Sequence, residues 1–82
     1  MTEQDILVAF AEVVEEITRI SPAQVTPEKS FTNDLDIDSL SMVEIATASE
    51  DRFGISIPDE ALADLKTVGD AVAYIAKAGV AA

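Results

Sequence analysis

Neither cysteine nor histidine occurs among the 82 residues of this chain. The first absence excludes disulfides and thiolate chemistry on the polypeptide itself. The second removes the usual general base near neutral pH and the commonest zinc ligand. Glycine and proline occur three times each, beside 49% apolar residues, which excludes global disorder. Aromatics are confined to Phe10, Phe31, Phe53 and Tyr74, so the core is expected to be thin and adaptable, built of Ala, Val, Ile and Leu. Bases are scarce as well: five against sixteen acids, a formal charge of −11. That sign argues against nucleic acid and anionic membranes and favours partners with basic patches, met in fast, salt-sensitive encounters. Acidity would serve plain solubility equally well. No basic leader opens the sequence and no apolar run reaches bilayer length, so no membrane span and a cytoplasmic location are expected.

The length fits one domain, expected over residues 1–78, with 79–82 as a frayed tail. Thr2 to about Arg19 has the pattern of a helix: Ile6, Leu7, Phe10, Val13, Val14 and Ile17 fall within an arc of roughly 120°, with Glu12, Glu15 and Glu16 opposite. Thr2 with Asp5 resembles a capping box, and Val8 is expected in solvent. Ser21-Pro22 ends this helix and residues 21–37 form a long loop, anchored by Val25, Phe31, Leu35 and Ile37, with room for one short turn. A second helix is expected from Ser39 to Phe53, capped by Asp38 and stopped by Gly54. A short third runs from Asp59-Glu60 to about Leu65, and a fourth starts at a second box, Thr67 with Asp70, burying Val68, Ala71, Val72 and Ile75.

The densest information surrounds Ser39. From Ser30 to Asp51 there are six acids and no base. A serine becomes a nucleophile only when something takes its proton, and this chain has no histidine to do so. The neighbouring carboxylates are weak bases and cannot stabilise an oxyanion, so catalysis by Ser39 is a poor reading. On residue chemistry alone, two readings stay open: an ordinary serine at the start of a helix, or a serine modified by another enzyme at an exposed first turn that favours phosphate. Asp34, Asp36 and Asp38 match the opening of a calcium loop, but Ser39 replaces its glycine and Ile45 its final glutamate, so an EF-hand is rejected.

On the second helix, Met42, Ile45, Ala46, Ser49 and Phe53 share an arc of roughly 100° that should face the core. Leu40 and Val43 fall outside it, among Glu44, Thr47, Glu50 and Asp51. Two apolar side chains ringed by acids suit a docking surface, or else they pack under the preceding loop. Ala46, Ala48 and Ser49 on or near the core face either leave space for an aliphatic chain or let the helices approach more closely.

Asp38-Ser39-Leu40 followed by Val43-Glu44 resembles the phosphopantetheine attachment motif of acyl carrier proteins. Phe53-Gly54-Ile55 with Ile57-Pro58-Asp59-Glu60 is similar to that family's approach to its third helix, and Thr67-Val68-Gly69-Asp70-Ala71-Val72 with Tyr74-Ile75 to the start of its last. The likeness runs from about Phe31 to Ile75, and residues 34–45 look closest to carriers of actinobacterial fatty acid synthesis. It implies an all-α four-helix bundle with a short third helix and no catalysis of its own. It implies 4′-phosphopantetheine on Ser39 next to Asp38, attached from coenzyme A by a phosphopantetheinyl transferase that holds the magnesium. The arm would carry acyl thioesters among type II fatty acid synthase enzymes with basic docking patches: ketosynthase, malonyl transferase, reductases and dehydratase. Leu40, Val43 and Glu44, with Thr47 and Asp51 beside them, would meet those partners. Ile45, Ala46, Ser49 and Phe53 would line an acyl cavity, and the protein is expected to be a monomer. A carrier of a polyketide or other specialised pathway, or an unmodified acidic adaptor, are the alternatives. The chain departs from many relatives at Asp36 and Ser41, where they have Gly and Asp. Ser49 stands where the family often has a larger apolar residue, which favours a roomy interior.

Overall fold

Thr2 and Asp5 close a reciprocal capping box, each side chain accepting the other's backbone N–H at 3.1 Å, and this starts the first helix, α1 (Glu3–Thr18). The computed structural model describes residues 2–79; among them α1 is followed by a 3₁₀ turn at Pro22–Gln24 and three further helices, α2 (Ser39–Phe53), α3 (Asp59–Asp64) and α4 (Val68–Lys77). The fold is all-α, a four-helix bundle with a short third helix, as the family resemblance implies. Residues 80–82 of the expected tail lie outside the described residues.

The helix limits have local causes. Helix α1 ends two residues earlier than Ser21-Pro22 requires, because Arg19 turns left-handed (φ 68°) while its N–H still reaches Glu15 O at 2.8 Å. Asp38 accepts Ser41 N–H at 2.8 Å to start α2, and Gly54 (φ 67°) ends it in the left-handed conformation that glycine adopts freely. Thr67 and Asp70 cap α4 as Thr2 and Asp5 cap α1. Helix α3 follows Pro58 without a side-chain cap, contributes no fully buried residue, and ends at Asp64, one residue short of the expected Leu65.

The core lies between α1, α2 and α4. Ile6, Phe10, Val13 and Val14 from α1 meet Ile45 and Phe53 from α2 and Val68, Val72 and Ile75 from α4. Leu7 and Ile17, on the predicted apolar arc, are half-buried at its margin. Val8 is exposed. The loop anchors Val25, Phe31, Leu35 and Ile37 are all buried. Phe31 meets Phe10 edge to face with ring centroids 6.0 Å apart, an arrangement worth roughly 0.5–1.5 kcal/mol beyond its buried area.

The loop is held from the other end of the chain. Val68 N–H donates to Lys29 O and Gly69 N–H to Pro27 O, both at 2.9 Å, and Phe31 N–H donates to Lys66 O at 3.1 Å. Gly69 permits the approach: a Cβ there would lie 3.0 Å from Pro27 O. Ser30 and Asp34 then exchange backbone-to-side-chain bonds at 2.8 and 3.0 Å, and Ile37 N–H reaches Phe31 O at 2.8 Å. Between these ties Asp36 takes φ 54°, a left-handed conformation that aspartate tolerates and β-branched residues resist.

Asp36→Val should therefore lower the unfolding free energy by roughly 1–2 kcal/mol, whereas Asp36→Gly should change it by less than about 1 kcal/mol. Equilibrium urea denaturation checks both; equal effects would contradict the strain argument.

Candidate functional site

Ser39 is the first residue of α2, exposed, at the point where the tethered loop delivers the chain into the helix. The N–H groups of the first turn have no intrahelical acceptors. Asp38 takes the one from Ser41, leaving those of Ser39 and Leu40 at the positive end of the helix, where a phosphate group fits. The Asp38 carboxylate opposes that preference, so the turn is not tuned to free anions. Asp34 is likewise engaged with the loop backbone, and among the described residues no cluster of acids is arranged to hold a metal ion.

Beside Ser39 opens a cleft of about 690 Å³ between the loop, α2 and α3. Ser39, Met42 and Val43 form its α2 side, Phe31 to Asn33 its loop side, and Leu62, Ala63 and Lys66 its far wall. Phe31, Met42, Leu62 and Leu65 also line a second, inner space of only about 10 Å³, so the cleft and the inner void are adjacent. An exposed hydroxyl, a free helix start and a cleft of this size together fit a phosphorylated flexible arm.

Ile45, Ala46 and Ser49 line the inner void, whereas Phe53, although buried, does not. The helices have closed around the small residues of α2, leaving about 10 Å³, space for one water molecule. The Ser49 hydroxyl is fully buried and has no hydrogen-bond partner, a state that costs roughly 1–3 kcal/mol.

The outer face of α2 is different in kind. Leu40 is 69% exposed and Val43 49%, so neither is sealed under the loop. Glu44, Thr47 and Asp51 are exposed around them. The Thr47 hydroxyl bonds back to Val43 O at 3.0 Å. Farther along, Arg52 leaves this face to pair with Glu12 of α1 at 2.7 Å. The sequence pattern does not single out the cleft wall on α3 and Lys66. The Leu62 and Leu65 spacing carries a signal for it, but nothing local marks Lys66.

Residues 8–75 match the family described as phosphopantetheine attachment site. The chain is 63% identical over 76 residues to the meromycolate extension acyl carrier protein of Mycolicibacterium smegmatis, across 93% of this chain and 77% of that protein. It is 59% identical over 76 residues to the acyl carrier protein of Thermobifida fusca, across 93% and 96%. Its fold is similar to the solved acyl carrier protein of Enterococcus faecalis, with TM-score 0.78 and 35% identity over 96% of this chain and 100% of that one.

The first turn of α2 carries its own pH signature. Hydrogen bonds from the backbone N–H and then the hydroxyl of Ser41 hold the Asp38 carboxyl below its ordinary value of 3.8. A carboxyl whose pKa is lowered by folding adds stability above its ordinary value and loses it as pH falls through the lowered one. Asp38→Asn should thus melt below wild type at pH 7, and the gap should shrink below about pH 4. Melting curves between pH 7 and 3 test this; a constant gap would contradict it.

Proposed function

This chain belongs to the acyl carrier protein family, carriers without catalytic activity that bear covalently attached 4′-phosphopantetheine, and on that premise we propose that Ser39 takes the arm and that the protein shuttles acyl thioesters in type II fatty acid biosynthesis. The observation that carries this reading is the exposed hydroxyl at the start of α2, beside the cleft, in a chain with no histidine to activate it. Activation must come from a visiting phosphopantetheinyl transferase. The Ser39 Oγ–phosphorus bond forms as the pyrophosphate bond of coenzyme A breaks. Adenosine 3′,5′-bisphosphate leaves, and the serine proton passes to a base of the transferase. The terminal thiol of the arm then supplies the thioester linkage.

Partners with basic patches, among them ketosynthase, malonyl transferase, reductases and dehydratase, would grip Leu40 and Val43 while Glu44 and Asp51 steer the approach. The mycobacterial relatives, meromycolate extension acyl carrier proteins, support acyl-chain extension as the setting. We place the protein in the cytoplasm as a monomer with one carrier domain over residues 1–78; among the described residues no helix is long and apolar enough to cross a membrane.

Incubation with coenzyme A, magnesium and a broad-specificity transferase should add the mass of one phosphopantetheine to wild type and nothing to Ser39→Ala. No gain under conditions that modify a control carrier would defeat the proposal.

Glu44→Lys should weaken binding to a ketosynthase by roughly three- to tenfold at low salt and less at high salt. Titration of both proteins across ionic strength measures this, and equal affinity at low salt would remove Glu44 from the docking surface.

A further inference from the structure

Hydroxyls on these helices bond the carbonyl four residues back where they can. Thr18 does so to Val14 O at 2.8 Å and Thr47 to Val43 O at 3.0 Å. Ser49 does not, although it is fully buried in the middle of α2. Among the described residues the only other buried side-chain oxygen without a partner is that of Thr26, in the loop and away from the void. Water does not resolve the case. The void of about 10 Å³ has room for one water molecule, and a buried water needs two to four polar partners, while the other side chains of the lining are apolar.

Ser49 lines an apolar void with its hydroxyl unpaired, which suits a ligand that is apolar along its length and carries an acceptor at one point. The route to it starts at Ser39. The cleft beside that residue shares Phe31, Met42, Leu62 and Leu65 with the void, and Ser49 lies ten residues farther along α2, about 15 Å down its axis.

We propose, resting on the reading of the chain as an acyl carrier, that the Ser49 hydroxyl selects acyl chains that bear an oxygen, donating to a keto or hydroxyl oxygen when the chain fills the void. A saturated chain supplies contact area and leaves Ser49 unpaired. A chain with an oxygen must desolvate that oxygen on entry, and the hydrogen bond from Ser49 offsets the loss. Without the hydroxyl the same oxygen would be buried unpaired, so removing Ser49 should penalise oxygenated chains and spare saturated ones.

The test loads wild type, Ser49→Ala and Ser49→Thr with octanoyl arms, either plain or bearing a keto oxygen at the third, fifth or seventh carbon. Intact mass confirms loading and the melting temperature is the readout. For at least one keto position, the oxygenated arm should match or exceed the plain one in wild type and in Ser49→Thr. In Ser49→Ala it should fall below the plain arm by about 4–8 °C. A keto-minus-plain difference that is the same in wild type and Ser49→Ala at every position would overturn the proposal while leaving the carrier reading intact. If the plain octanoyl arm fails to raise the melting temperature of wild type, chain burial falls and the selection falls with it. Failure to load would remove the role of Ser39 and both later steps.

Discussion

The start of α2 is positioned by a seam of backbone hydrogen bonds between the long loop and the first turn of α4. Two needs meet there. The opening turn of a helix has N–H groups without acceptors, and an irregular loop has carbonyls without donors. Val68 and Gly69 donate to Lys29 and Pro27, and Lys66 accepts from Phe31. With Phe31 planted in the core, the segment from Ser30 to Ile37 is short and doubly tied, and it leads into Asp38. A residue near the middle of the chain thus owes its place to a contact made near the end.

From that fixed origin α2 serves three surroundings at once. Its inner face buries Ile45, Ala46, Ser49 and Phe53. Its first turn presents Ser39, and its outer face combines Leu40 and Val43 with carboxylates. The arrangement suits brief encounters. Charge acts over roughly a Debye length of 8–10 Å and would bring a proposed basic partner in, while two apolar side chains give too little area to hold it for long. Arg52 pairs with Glu12 in solvent, where such a pair contributes about 0.2–1 kcal/mol.

Much of this fold was legible in the sequence because its determinants are local. The two capping boxes, the Asp38 cap, the Gly54 stop and the helical spacing of α1 and α4 each involve residues a few positions apart. The same holds for the exposure of Leu40, Val43 and Val8. What remained hidden is non-local. The left-handed turn at Asp36 is imposed by loop ties on both sides, and the seam joins residues some forty positions apart in the chain. Small residues at Ala46, Ala48 and Ser49 were compatible with a roomy interior or a tight one, and only packing decides; the helices closed to leave about 10 Å³. The unpaired state of the Ser49 hydroxyl could not be read from a helical wheel, since Thr47, two residues earlier, satisfies its own.

Helix α3 gives the molecule an uneven mechanical character. It is six residues long, lacks a side-chain cap and buries none of its residues fully, while Leu62 and the adjoining Leu65 stand between the cleft and the interior. Displacing it leaves the contacts among α1, α2 and α4 untouched, so the free energy of opening this wall can be far below that of global unfolding. On the proposed reading, passage of cargo past α3 would be decoupled from survival of the frame, and residues on this one short segment would tune how long a guest stays without weakening the host.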